Sequence, residues 1–412
     1  EDVRAHIDTR KANYVSGHVT EILRTAPERV ASISPVFPEC GGCQVLHLEY
    51  AAQLEWKRRM LLDAFQRIGG LEGVHADPTV PSPLIDRTRY RNKVSLEASF
   101  QAGKPMIGFY AARSHRVVPI QHCPVLVPRL DDAVKKFIRF AHQRPQMLRD
   151  VRHVVVRAST AHDSLVLCIN TQQRQEQLGM LAEDLRRSVG GLTGIVTSWN
   201  PVNANAIFGQ RFSTLWGSDQ ILEAVADADF EFSIASFFQI NTPILDLIAR
   251  LLVERLAQAK RVVDLYCGVG TFAVLLGKRG VSGAGIESFR LSVEEAAANA
   301  ARNGVTNVMF ECATAEEAVA GARGHSLLAA TDAVILDPPR RGCEAEVLLA
   351  LGRERVPRIE YLSCNPATLA RDAKILVAAG YELGAVRPFD MFPHTGHVEA
   401  LAEFELHPRK VA

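Results

Sequence analysis

Residues 261–272 read RVVDLYCGVGTF. A short apolar run ends at Asp264, two glycines follow at 268 and 270, and a second apolar run begins. This is the pattern of a buried strand entering a tight turn that opens a helix. The same alternation extends outward on both sides. INTPILDLIARLLVERLAQA, just before it, has the period of an amphipathic helix. After it come a helix stopping at LLGKRG, a strand VSGAGIES that reaches Glu287, a helix LSVEEAAANAARNG and a strand NVMFECAT. DAVILDPPRRG reads as strand then loop, RIEYLSCNP as strand, ATLARDAKILVAAG as helix, and YELGAVRPFDMFPHTGHVEALAEFEL as a strand pair. Strands alternating with helices predict an α/β fold, with a mostly parallel sheet wound on both faces and ligands outside the carboxyl ends of its strands.

The rest of the chain reads differently. Residues 1–30 are strand-like, and SISPVFPECGGC at 32–43 is a Pro/Gly/Cys loop. A long helix is expected over 48–70, with Leu48, Ala52, Leu54, Leu61, Leu62 and Phe65 near a 3.6-residue period and a stop at Gly69-Gly70. From about 80 to 230 the signals are mainly short strands such as VRHVVVRAS and SLVLCIN, with helical FIRFAHQ and LGMLAEDLRRSV between them. Four segments follow: 1–30, 31–80, 81–232 and 233–412.

A chain of 412 residues exceeds one ordinary core. Its 47% hydrophobic and 23% charged content is that of a soluble globular protein. No apolar run approaches the ~18 residues of a membrane span. The polar start is not a signal peptide, so a cytoplasmic location is expected. The net charge of +1 hides a balance of +6 over residues 1–150 and −5 over the remainder, which fits an anionic partner engaged from one side. Eight scattered cysteines do not form a disulfide scaffold.

Within the last segment, Gly268 and Gly270 let backbone approach a ligand, and Glu287, about twenty residues beyond Asp264, can take the hydroxyls of a ribose. The G-x-G-x-x-G of dinucleotide binders is missing. D-x-x-C-G-x-G-T, then an acid, then Asp337-Pro-Pro, points instead to S-adenosylmethionine. The tetrapeptide closes with Arg340 rather than an aromatic residue, which argues against methylation of an amine. In YLSCNPATLARD, Cys364 stands where the strand stops, directly before Asn-Pro. A thiol beside a methyl donor suggests covalent activation of a poor nucleophile such as C5 of uracil. That chemistry needs one thiol, one base and one donor together, and Glu399 in FPHTGHVEA is the candidate base. His394 and His397 are weaker candidates for a direct part.

SFFQIN (236–241), DLYCGVGTF, LDPPRRG, YLSCNPATLARD and DMFPHTGHVEA together resemble the RNA uracil-5-methyltransferases. The resemblance covers nearly the whole chain. It implies a Rossmann-like methyltransferase domain at the C-terminus, a central α/β RNA-binding domain, and an N-terminal β-barrel module of the TRAM kind. Residues 1–30 match only the end of that barrel, so a shortened barrel is expected. The resemblance implies Cys364 as nucleophile and Glu399 as general base. It implies Gln239, Tyr266, Gly268, Gly270, Thr271, Glu287, Thr314 and Asp337 at the methyl-donor site. Phe237, Arg91 and Asp337 would meet a target uridine flipped from its stack. Thr314 stands where an amide or acid is expected, and Thr271 is a milder departure.

Cys40, Cys43 and Cys123 match three thiolates of the four-cysteine iron–sulfur site in the ribosomal-RNA branch, and Ser34 stands at the fourth position. A [4Fe-4S] cluster ordinarily takes four thiolates, so a weakened cluster, a replacement ligand and an empty loop are all open, with a cluster-type, labile site the expectation. Arg87, Arg89, Arg91, Lys93 and Arg113 suit phosphate contacts. The expected activity is methylation of C5 of a uridine in 23S ribosomal RNA by a monomer without membrane contact. The alternatives are the same chemistry on the T-loop of transfer RNA, and a non-catalytic RNA-binding protein that keeps the fold. An iron–sulfur electron carrier does not explain Cys364 and Glu399. The Pro-Cys-Gln of DNA cytosine-5 enzymes is absent.

Overall fold

The computed structural model describes residues 1–84, 87–101, 103–171, 178–199, 207–209 and 211–406. RVVD forms a strand at the centre of a seven-stranded sheet. In spatial order the strands are Val308–Cys312, Ser282–Glu287, Arg261–Asp264, Ala333–Leu336, Arg358–Ser363, Glu399–Leu406 and Tyr381–Phe389. The first five are mutually parallel; the last two pair antiparallel. Continuous apolar runs such as Ala333–Leu336 are buried along their whole length, as a sheet covered on both faces requires. Helices Thr242–Leu256, Thr271–Gly277 and Arg290–Arg302 cover one face. Helices Tyr50–Ala64, Ala345–Arg353 and Pro366–Ala378 cover the other. Strand order reverses between Arg261–Asp264 and Ala333–Leu336, and the crevice opens there.

A second seven-stranded sheet spans Lys93–Gly217 and is antiparallel except where Leu165–Thr171 lies parallel to Gly194–Trp199. Helices Pro128–Gln143 and Leu178–Val189 pack on one face. Val155, Val166, Cys168 and Val196 on the other face join the core around the helix Thr242–Leu256. The hairpin Gln220–Val225/Ala228–Ser233 contributes to that same core.

Residues 1–30 form one antiparallel hairpin, Asp2–Arg10 with Val15–Arg24, and nearly all of it is exposed. The expected helix over 48–70 runs Tyr50–Ala64, widens into a π turn at Phe65–Gly69, and stops at Gly70, whose φ of 63° is the left-handed conformation that glycine tolerates. Its inward stripe differs from the sequence reading. Gln53, Lys57, Leu61 and Ala64 are the buried positions. The N-terminal half of that stripe meets polar groups rather than apolar core: Gln53 bonds His394 N–H, and Lys57 meets the Asp390 carboxylate and Phe392 O.

Candidate active site

The structure brings Phe237, Gln239, Tyr266, Gly268, Thr271, Glu287, Thr314, Asp337, Cys364 and Glu399 around one cavity of about 690 Å³ at the carboxyl end of the first sheet. Gly270 lies behind its wall. Its φ is 87°, and a Cβ there would press on Ala296 and Phe310 at 3.1–3.2 Å, so glycine is required twice over. Gly268 also has positive φ, and its N–H donates to Glu287 (3.2 Å). The other Glu287 oxygen accepts from Phe289 N–H and Ser288 Oγ. The acid at the end of the second strand therefore ties the glycine turn to the strand beside it. Thr314 caps the helix Ala315–Ala318 in a reciprocal box with Glu317, so its oxygen is already engaged by backbone.

Burial, reinforced by Asp337 and Glu287, pushes Asp264 up to about 8, and burial pushes Asp337 up to about 7. Asp264 Oδ2 is buried without a hydrogen-bond partner. Of the two, Asp337 lines the cavity, where a bound cation such as a sulfonium would compensate its charge.

The reactive end follows from register. Ser363 pairs antiparallel with Ala400, so one step further puts Cys364 opposite Glu399. The Asn-Pro after the cysteine explains itself. Asn365 caps the helix Pro366–Ala378 by accepting from Ala367 N–H (3.1 Å), and Pro366 occupies the first turn, where no N–H is missed. Cys364 therefore lies at the positive end of a thirteen-residue helix. Asn365 Nδ2 also donates to Arg340 O (2.9 Å), which fixes the loop after Asp337-Pro-Pro.

Burial, together with Glu399 and Asp337, pushes the Cys364 thiol up to about 11, and the positive charge of the Arg340 guanidinium pulls it down. Glu399 is 1% exposed, and neither carboxyl oxygen has a hydrogen-bond partner. Burial and Asp337 hold its pKa well above the carboxylate range, against Arg340. Phe237, 66% exposed, stands at the mouth.

Arg340 and Phe392 complete this end of the cavity, and Glu316 lines it near Thr314. The sequence reading gave none of them a place in the site. Asp337-Pro-Pro-Arg340 carried the signal for the arginine, since the residue directly after a rigid Pro-Pro at a strand end must lie at the lip.

Arg91 lies elsewhere. It lines a separate cavity of about 130 Å³ with Ser34, Cys40, Cys43 and Cys123. Burial pushes Cys43 up to about 12 and Cys123 up to about 11. Among the described residues, no three His, Cys, Asp or Glu side chains are grouped to hold a metal ion. Of the other basic residues, the Arg87 guanidinium stacks on Tyr50 and the Lys93 ammonium lies over Phe208. No helix among the described residues is long and apolar enough to cross a membrane.

A doubly wound sheet with a glycine turn, an acid at the second strand end and a floor of buried carboxylates defines an S-adenosylmethionine-dependent methyltransferase. The family described as tRNA (Uracil-5-)-methyltransferase matches residues 218–404. An RNA methyltransferase of Halalkalibacterium halodurans is 32% identical over 98% of this chain and 90% of its own length. One from Gloeobacter violaceus is 36% identical over 98% and 89%. The structure of the Pyrococcus abyssi tRNA (uracil-54, C5)-methyltransferase with S-adenosyl-L-homocysteine is 30% identical, has a TM-score of 0.75, and aligns over 97% of this chain and 91% of that one. The chain belongs to this family of RNA (uracil-5-)-methyltransferases.

Proposed function

We propose that this protein methylates C5 of a uridine in 23S ribosomal RNA through a covalent Cys364–C6 adduct. The observation that carries the chemistry is the register that sets Cys364 opposite Glu399 over a cavity shared with Asp337. Gln239, Tyr266, Gly268, Thr271, Glu287, Thr314 and Asp337 hold S-adenosylmethionine, with Gly270 shaping the turn behind them. When bound, it supplies an electrophilic methyl group.

The chain's own residues do the rest. Phe237 offers a stacking face to the flipped base. Arg340 stabilises the thiolate, and the thiol proton passes to solvent water. Sulfur then bonds to C6, and the C5=C6 electron pair moves toward the C4 carbonyl, making C5 nucleophilic. Once C5 carries the methyl group, Glu399 takes the C5 proton. The C5=C6 bond re-forms, the C6–S bond breaks, and the thiolate leaves.

Trapping tests this directly. 23S RNA transcribed with 5-fluorouridine, incubated with enzyme and S-adenosylmethionine, is expected to give a denaturation-stable adduct mapping to Cys364. Fluorine cannot be removed as a proton, so the thiol stays attached. No adduct on any RNA overturns the covalent reading. An adduct on tRNA alone moves the substrate to the T-loop, a second reading favoured by likeness to the Pyrococcus abyssi enzyme.

Arg340 gives a pH prediction. Its charge lowers the thiol, so Arg340→Met raises the Cys364 pKa and moves the rising limb of the kcat/KM profile to higher pH. A loss of about 10–100-fold at pH 7.5 is expected, and it stays constant while the pH lies below both thiol pKa values, since one pKa unit is a factor of ten in thiolate below the pKa. No loss at pH 7.5, or a loss that grows as pH rises, sinks this assignment.

The ribosomal-RNA reading draws on the cysteine cavity. Cys40, Cys43, Cys123 and Ser34 line one cavity, three thiols and a hydroxyl, and that donor set is what supports a cluster-type site. Protein purified without oxygen is expected to contain iron and sulfide and to absorb broadly in the visible. Colourless, iron-free protein excludes the cluster. The protein is expected to act as a monomer in the cytoplasm.

A further inference from the structure

The segment that delivers Glu399 is held largely by the first ninety residues of the chain. Phe392 O accepts from Lys57 Nζ (2.9 Å) and Pro393 O from the Tyr90 hydroxyl (3.2 Å). His394 O accepts from Gln44 N–H and Val45 N–H, both at 3.1 Å, and His394 N–H donates to Gln53 Oε1 (3.0 Å). Gly396 N–H donates to Gln44 Oε1 (3.1 Å). His394 adopts φ 66°, a conformation a residue with a Cβ keeps only when its surroundings impose it.

The Glu399 carboxyl has no hydrogen bond. It is aimed only by packing and by the backbone on either side. Gln44 is the side chain that reaches both ways. Its Oε1 takes Gly396 N–H, and its Nε2 donates to Gly41 O (2.7 Å), inside the Cys40–Cys43 turn. That turn is in its own right pinned to the second sheet through Gly41 N–H and Tyr110 O (2.9 Å).

We propose that Gln44 is a positioning residue for Glu399, and that the cysteine turn acts on the proton-removal step through it. The proposal rests on the role given above to Glu399. It requires no particular occupant of the cysteine cavity. The side chain is exposed, so its replacement leaves the core intact.

Unmodified 23S RNA transcript and S-adenosylmethionine serve as substrates for the test. Gln44→Ala is expected to lower kcat by about 10–30-fold with KM for both substrates within about twofold, on the scale of a misplaced general base. Because thiol addition is spared and proton removal is slowed, a denaturation-stable RNA adduct is expected to build up during turnover. A loss of stability alone does not produce that species. Gln44→Glu keeps the acceptor for Gly396 N–H and is expected to recover kcat to the several-fold deficit of Gly41→Ala. It loses the donor to Gly41 O, so the two arms of the bridge separate.

Gly41→Ala disturbs the turn, since its Cβ would meet Tyr110 O at 2.7 Å. It is expected to slow the wild type several-fold and to have no further effect on Gln44→Glu, a non-additivity that measures coupling. Unchanged kcat and adduct level in Gln44→Ala, or additive effects in the pair, overturn the proposal. Failure of the wild type to form any adduct with 5-fluorouridine RNA removes the covalent reading instead, and the kcat effect of Gln44 is still readable.

Discussion

Cys364→Ala is expected to transfer no methyl group and form no RNA adduct, whereas Glu399→Gln is expected to complete one transfer and stop with RNA attached. The two variants fail at opposite ends of one reaction. Without the thiol, C5 of uracil never becomes nucleophilic, and the loss is expected to be about 10⁴-fold or more, on the order of 5 kcal/mol of barrier. Without the carboxylate, addition and methyl transfer proceed, but the C5 proton stays. Its removal is general-base catalysis, worth about 10²–10⁴-fold. Steady-state turnover falls by that factor while adduct approaches one per enzyme. Glutamine suits the test because the wild-type carboxyl has no hydrogen bond to lose, so the fold tolerates the amide. Single-turnover quench with labelled RNA, resolved on denaturing gels, separates the cases. An adduct in Cys364→Ala, or free methylated RNA at wild-type rate from Glu399→Gln, sinks the assignment of roles.

The catalytic half was legible because each functional residue sits at the end of a local pattern. Strand, glycine turn and helix follow one another within twelve residues at 261–272, and Asp337, Cys364 and Glu399 each stand at a strand boundary that hydropathy reveals. Parallel strands then place such residues on one edge by topology alone. The support beneath them was not legible. Gln44, Gln53 and Lys57 meet their partners across more than 330 residues of sequence. On a helical wheel Lys57 belongs to a solvated stripe, and the apolar residues beside it suggest a different inward face. Periodicity reports which face is apolar and cannot report that a buried polar loop awaits a polar face. Arg91 shows the converse. Its position in a basic run suggested the substrate, but the fold turns it toward the cysteine cavity, which lies far from Cys364 in sequence.

Lys57→Met is expected to cost about 3–5 kcal/mol of local stability, the usual consequence of removing one partner of a fully buried ion pair. Lys57 Nζ lies 2.5 Å from Asp390 Oδ1, and both side chains are 0% exposed. Burial draws the Lys57 pKa down and Asp390 draws it back up. The Tyr50 hydroxyl donates to the second Asp390 oxygen (2.7 Å), so the carboxylate is satisfied only while the ammonium is present. Methionine fills much the same volume, which confines the loss to charge. Deprived of its cation, the Asp390 carboxylate is left as an uncompensated charge in the interior. Lys57→Met/Asp390→Asn is expected to recover most of the deficit at pH 7, because an uncharged amide no longer has to be desolvated as an ion. Trp56, next to Lys57 on the same helix, reports the transition in urea when Trp199 and Trp216 are replaced by phenylalanine. A double variant no better than the single shows that packing of the lysine stem rather than its charge holds the segment bearing Glu399.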